Sequence, residues 1–319
     1  MILKVPQDLK TIVEILLAEK IMALPTETVY GLAGLASSET AIRQIYSIKN
    51  RPSINPLISH YANIEEIKKD VEVNTLAQLS YFNISPGPLT LVLNRKSGSR
   101  ISELASAGLK TAAVRIPNHK ICLEVLNAIQ APIVAPSANP SGRLSPISAA
   151  NVVKMFGTKL DYILDGGRCE VGIESTVVEV SEEELTVLRY GAITVEDLLT
   201  IVPEVKIPGN DESIKSPGML LKHYSPTCPI RFGLETHKEG EALLAFGDIS
   251  KLKHDFKLVK NLSERANLEE AATNLFKMIH ELEEAGVSGI SVMNIPQTGI
   301  GRSINDRLSR AVNAHHYSE

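Results

Sequence analysis

Six short polar stretches hold the side chains whose types and spacing could do chemistry: PTETVY (25–30), KNRPSIN (49–55), TAAVR (111–115), PSANPSGRLSP (136–146), GIESTV (172–177) and LRYG (188–191). Lys49 and Arg51 stand two apart. They either complement the C-terminal dipole of a helix before them or hold an anion. Arg115 closes an otherwise apolar run, and a buried guanidinium needs an anionic partner, either a structural carboxylate or an anionic ligand. Ser137, Asn139 and Ser145 suit ordinary turns, a helix cap or a phosphate. Between Pro25 and Gly31, the crowd of Thr26, Glu27, Thr28 and Tyr30 either punctuates a turn or converges on one small polar ligand.

These stretches are positioned by probable strands and helices. Apolar residues recur at helical spacing from Asp8, and IMALP then reads as a buried strand, so PTETVY follows a strand. SSETAIRQIYSIK reads as a helix capped by Ser37 or Ser38 and ending near Lys49, because Pro52 and Pro56 forbid its continuation. PLTLVLNRK, TAAVRIP, APIVAPSAN, DYILDGG, STVVEV and ELTVLRYG read as strands bounded by turn residues. HKICLEVLNAIQ and SPISAANVVKMFG read as helices, the second with Ser145 as cap and Pro146 at its first position. In open α/β sheets ligands collect where strands run out into loops, so the six stretches could line one crevice. Beyond residue 200, IPGNDESIKSPGMLLKHYSPTCP reads as a linker. A strand, helix, strand order then implies a small α/β domain with parallel pairing, its long helix opening on a capping box at Asn267 and Glu270 and stopping at Gly286.

Composition excludes several classes. A chain of 319 residues is long enough for two domains, and 44% hydrophobic with 22% charged residues is ordinary for a globular protein. The net charge of −4 argues against holding nucleic acid by bulk electrostatics. Cys122, Cys169 and Cys228 have no zinc or redox spacing, which fits a reducing cytoplasm; no metal-ligand set is expected from the protein. The N-terminus does not read as a signal peptide, and no stretch is apolar enough to span a membrane. There is no P-loop, no dinucleotide fingerprint, no nucleophile elbow and no His-Glu-x-x-His, so nucleotide chemistry here needs a different cradle.

PTETVYGL, Lys-x-Arg-Pro followed by NPL, Thr-x-x-Val-Arg-x-Pro, PSAN, Gly-x-Glu-Ser-Thr and Leu-Arg-x-Gly occur in one order, and in that order they resemble the YrdC/Sua5 family. The SPGM…HYSP linker and the domain after it resemble the longer, Sua5-type architecture. The resemblance implies a YrdC-like twisted open mixed sheet with helices over residues 1–203, a linker closing over the active site at 204–229, and a small Rossmann-like α/β domain at 230–319. It implies L-threonylcarbamoyladenylate synthase activity, a nucleotidyl transfer: L-threonine, bicarbonate and ATP give threonylcarbamoyl-AMP, pyrophosphate and water, for the t6A modification of tRNA. Mg²⁺ would come with ATP, and the product would pass to a separate tRNA threonylcarbamoyl transferase. A monomer without strong nucleic-acid binding is expected.

Carried over by position, the resemblance assigns phosphate binding and charge stabilisation to Lys49, Arg51, Ser137 and Asn139. Arg51, Asn55, Thr111, Ser137, Ser145, Arg189 and Tyr224, beside His223, match positions that contact ATP. Thr28, His60, Arg115 and Ser175 match positions around L-threonine, with Glu27 and Tyr30 in support. Asn50 replaces a glycine frequent in the family, but asparagine tolerates left-handed backbone. Ala135 stands where some relatives carry threonine, leaving only backbone to contact the substrate there. Two rival readings are an RNA-binding module on the same fold, opposed by the acidic charge and 4% aromatic content, and carbamoyl adenylation for hydrogenase maturation, opposed by the missing cysteine pairs.

Overall fold

The computed structural model describes residues 1–5, 7–207, 223–234, 238–252 and 255–316. The chain divides into two compact units, one of residues 1–141, 146–170 and 174–219 and the other of residues 142–145, 171–173 and 220–319.

The first unit carries eleven strands among the described residues: β1 (Ile2–Leu3), β2 (Met22–Leu24), β3 (Gly31–Leu35), β4 (Ile58–His60), β5 (Leu89–Asn94), β6 (Thr111–Arg115), β7 (Ile133–Val134), β8 (Ile163–Leu164), β9 (Thr176–Val180), β10 (Leu185–Arg189) and β11 (Val205–Lys206). They form one mixed sheet in the order β1-β8-β2-β3-β7-β4-β6-β5-β9-β10-β11. β4 and β6 are parallel neighbours, whereas β5 runs antiparallel to β6 and parallel to β9. Helices α1 (Leu9–Leu17) and α5 (Lys120–Ile129) supply Ile12, Leu16, Cys122, Val125 and Leu126 to a core that also takes Met22, Leu24, Ala33 and Ile133 from the sheet. That burial, worth about 1.5–3 kcal/mol per large aliphatic side chain, fixes the strands whose ends carry the polar loops.

The first unit also holds α3 (Ile64–Lys68), α4 (Thr75–Ile84) and α7 (Val195–Leu198), and its α2 (Glu39–Lys49) starts where Ser38 accepts a hydrogen bond from the Ala41 amide. It stops at Asn50, whose left-handed backbone (φ 50°, ψ 45°) confirms that asparagine keeps the turn. The helix after PSAN differs from expectation: α6 (Ala149–Phe156) is capped by Ser148, whose hydroxyl accepts from the Asn151 amide at 3.2 Å, and Ser145 is not its cap. Pro146 keeps the residue before it out of helical backbone, and Ser148 stands at the spacing a cap requires.

In the second unit, β12 (Ile230–Phe232), β13 (Ala242–Ala245), β14 (Leu258–Asn261) and β15 (Ile290–Val292) form an all-parallel sheet in the order β12-β15-β13-β14. α8 (Leu268–Glu284) and α9 (Gly301–His316) belong to the same unit. The cap of α8 is Asn267, as read from sequence, but the box is not reciprocal. Glu270 accepts from Ser263, and the Ser263 hydroxyl takes the Asn267 amide instead. Residues 208–222 of the expected linker lie outside the described residues; before them, β11 extends the first sheet past residue 203 by pairing parallel to β10.

Candidate active site

The polar loops of the first unit meet at strand ends. His60 and Arg115 are direct cross-strand partners at the C-terminal ends of β4 and β6. Thr111 opens β6 on the same face as Arg115, roughly 13 Å away at the usual rise per residue.

Arg115 is spoken for on three sides. Its Nε donates to the Gly87 carbonyl at 3.2 Å, its Nη1 donates to Thr28 Oγ1 at 3.0 Å, and its Nη2 lies 2.7 Å from Glu27 Oε1. Both side chains of the ion pair are only 4% exposed. The anionic partner that a buried arginine requires is therefore Glu27, to which the sequence reading gave only a supporting place. A usable signal existed, since Glu27 and Glu174 are the only acids in the six polar stretches. The hydroxyls of PTETVY divide their roles. Thr26 makes the turn, accepting from the amides of Thr28 and Val29 and donating to the Val29 carbonyl, while Thr28 faces Arg115. Tyr30 braces the DGG loop, donating to the Gly167 carbonyl at 2.6 Å and accepting from the Gly166 amide.

His60 is 2% exposed, and its Nδ1 has no hydrogen-bond partner among the described residues. Burial first, and the Arg115 charge second, push its pKa down to about 3, so the ring is neutral. Ser175 Oγ lies 2.8 Å from the hydroxyl of Thr90 and accepts from Arg189 Nη2 at 3.1 Å. Arg189 also grips the Ser175 carbonyl through Nε and Nη2. Thr90 was missed by sequence reading, being hidden in an apolar strand. LRYG closes onto this loop at Gly191, where any Cβ would fall 2.2–2.3 Å from Thr176 N and Ser175 C.

Lys49 ends α2 and turns inward, 1% exposed. Its ammonium donates to the carbonyls of Ser137 and Asn139, each at 2.5 Å, and the Ser141 amide returns a bond to the Lys49 carbonyl at 2.7 Å. Among the described residues no carboxylate lies within ion-pair distance of it. Burial first, then the neighbouring Arg51 charge, hold its pKa well below the usual lysine range. Arg51 donates to the Asn55 and Pro56 carbonyls at 3.2 and 2.9 Å. PSAN is tied to PTETVY by the Gly31–Ser137 bridge and by the Ala138 amide donating to the Tyr30 carbonyl at 2.7 Å.

Thr28, Lys49, Arg51, Asn55, His60, Thr111, Arg115, Ser137, Asn139, Ser175 and Arg189 thus all belong to the first unit, whereas Ser145 and Tyr224 belong to the second. Among the described residues, no cluster of three or more His, Cys, Asp and Glu is placed to hold a metal, and no helix is long and apolar enough to cross a membrane.

Comparison with known proteins gives this geometry its family. Residues 14–191 match the Sua5, YciO and YrdC family model, described as telomere recombination, and residues 193–313 match that of the threonylcarbamoyl-AMP synthase C-terminal domain. A threonylcarbamoyl-AMP synthase of Pyrococcus abyssi is 34% identical over 309 residues, covering 92% of this chain and 90% of that one. One of Bacillus subtilis is 33% identical over 313 residues, covering 92% and 89%. The crystal structure of P. abyssi Sua5 complexed with L-threonine superposes with a TM-score of 0.89 at 30% identity, covering 98% of each chain. This chain belongs to the Sua5, YciO and YrdC family through residues 14–191, and residues 193–313 carry the C-terminal domain of the threonylcarbamoyl-AMP synthases.

Proposed function

We propose that the chain is an L-threonylcarbamoyladenylate synthase, converting L-threonine, bicarbonate and ATP into threonylcarbamoyl-AMP, pyrophosphate and water for t6A synthesis. The observation that carries the reading is Lys49, a buried ammonium held by two main-chain carbonyls with Arg51 beside it and no carboxylate to neutralise it among the described residues. An ammonium held by neutral carbonyls can still attract an anion, and a triphosphate is one. The similarity to the named synthases over nine-tenths of the chain supports the same conclusion.

In this reading Arg115 and the hydroxyls of Thr28 and Ser175 receive the carboxylate and hydroxyl of threonine, and neutral His60 stands beside Arg115 without adding positive charge. The threonine amine, once deprotonated, adds to carbon dioxide released from bicarbonate. An oxygen of the resulting carbamate attacks the α-phosphorus, and the bond to the β-phosphate oxygen breaks. Two anions meet in that step. Lys49 and Arg51 offset their repulsion and stabilise the charge developing on pyrophosphate, while Ser137 and Asn139 bind the phosphates. Asn55, Thr111 and Arg189, with Ser145 and Tyr224, hold the rest of the nucleotide. Mg²⁺ would come with ATP as the counter-ion of its phosphates and would be held there by the phosphate oxygens. The three cysteines are free thiols, in keeping with a reducing cytoplasm, and the labile mixed anhydride passes to a separate transferase.

The test is pyrophosphate release from MgATP and bicarbonate, with and without L-threonine, followed by mass spectrometry. Release that requires threonine and yields the mass of threonylcarbamoyl-AMP is the expected result. Threonine-independent release, or none, overturns the reading.

A further inference from the structure

In the second unit, α8 presents Thr273, Phe276, His280 and Glu283 at spacings of three, four and three, which places them along one helix face. Each meets a different piece of loop. Gly172 (φ +78°) packs so closely on the helix that an added Cβ would stand 2.7 Å from the Thr273 carbonyl oxygen. The Phe276 ring stacks on Tyr224 with centroids 5.7 Å apart, and Arg307 of α9 covers the same tyrosine at 5.2 Å. His280 Nε2 lies 3.1 Å from the Ser145 carbonyl; a carbonyl only accepts, so the Nε2–H is the donor of that bond. Glu283 accepts the Thr227 amide at 2.5 Å, pairs with Arg143 at 3.4 Å and lies 3.5 Å from His280 Nδ1. Burial would raise the Glu283 pKa, but the bonds from His280 and Thr227 outweigh it and hold the carboxylate below its ordinary value.

The loop so gripped is short, and its position in the chain gives it meaning. Residues 142–145 are preceded by Ser141, whose amide bonds to the Lys49 carbonyl, and followed by Pro146, whose carbonyl accepts the Tyr30 amide. The loop is bonded to residue 225 as well. The Ser225 amide donates to the Gly142 carbonyl at 2.8 Å, and Arg143 forms a parallel bridge to Ser225.

We propose that this face of α8 is a positioning platform for the nucleotide side of the reaction, with His280 and Glu283 setting the place of Ser145 through the 142–145 loop and Phe276 that of Tyr224. The inference rests on the synthase reading, which puts ATP against Ser145 and Tyr224, and it gives the C-terminal unit a specific task. Neither His280 nor Glu283 needs to touch substrate. Their loss acts on ATP and spares threonine.

The experiment uses the full chain with Glu283→Gln, His280→Ala and His280→Gln. The expected outcome for the first two is a KM for ATP raised about tenfold, the equivalent of about 1.4 kcal/mol, with the KM for L-threonine unchanged and the thermal transition kept. Hydrogen exchange in a peptide spanning 141–147 should rise severalfold without any ligand. His280→Gln, whose amide can still donate to the Ser145 carbonyl, should restore most of both. Unchanged exchange in that peptide, or KM values for the two substrates moving together, overturns the proposal. If the wild-type chain makes no threonylcarbamoyl-AMP, the synthase reading fails, and ligand-free exchange still decides whether His280 and Glu283 hold the loop.

Discussion

Replacing Glu27 by alanine should cost the first unit far more than its position in a turn suggests. The Glu27–Arg115 pair is 2.7 Å long with both side chains 4% exposed. Without Glu27, Arg115 keeps, among the described residues, the Thr28 hydroxyl and the Gly87 carbonyl, neither of which neutralises a buried charge. Breaking one side of such a pair costs about 3–5 kcal/mol. With a urea m-value of roughly 2–3 kcal/mol/M for a unit of this size, the unfolding midpoint should fall by about 1–2 M. Far-UV circular dichroism is the appropriate probe, because the chain has no tryptophan. The control is Arg43→Ala, which breaks an exposed pair with Glu39 (68% and 60% exposed) and should cost about 1 kcal/mol or less. Removing both partners together, Glu27→Leu with Arg115→Met, should cost less than either single change, since no charge is left stranded. Glu27→Ala falling within about 1 kcal/mol of the control, or a double variant whose loss is the sum of the singles, would refute the reasoning.

Lys49→Ala and Arg51→Ala should each lower threonine-dependent pyrophosphate release by at least about 100-fold while leaving the circular dichroism spectrum unchanged; near-normal turnover in either removes the electrostatic role. His60 binds its proton near pH 3 when folded and near pH 6.5 when unfolded. The unfolded state therefore holds the extra proton between those values, and stability falls as pH drops through that window by up to about 1.4 kcal/mol per unit. His60→Asn should flatten that part of the stability–pH curve, and an unchanged slope counts against a buried neutral imidazole. Gly191→Ala forces the 174–176 backbone to move, with an expected loss of about 1–3 kcal/mol and a raised KM for threonine, measured by urea titration and steady-state kinetics.

Much of the sheet was legible because its strands are apolar runs between turn residues, and the stop of α2 was legible because Asn50, Pro52 and Pro56 leave the helix no continuation. The Ser145 cap was misplaced because two serines, Ser145 and Ser148, precede the same apolar period, and only the hydrogen bond to Asn151 separates them. β14 was missed because every residue of it is half-buried, so KLVKN shows neither alternation nor a clean apolar run. Glu27 as the partner of Arg115 depends on a contact across 88 residues, which no local pattern encodes. Thr90 was hidden for a related reason, since its side-chain partner, Ser175, arrives through the parallel pairing of β5 with β9.

The lysine at the end of α2 is fastened to PSAN twice, once through its ammonium and once through its own carbonyl. The acceptors for the ammonium are main-chain atoms, which every residue type carries. Drift in the side chains at positions 137 and 139 can therefore occur without dislodging the cation. The reverse also holds: trimming Lys49 to alanine deletes the charge and leaves the second fastening in place. Such a variant separates the two roles of the residue, removing its charge while its main-chain tie to the loop persists.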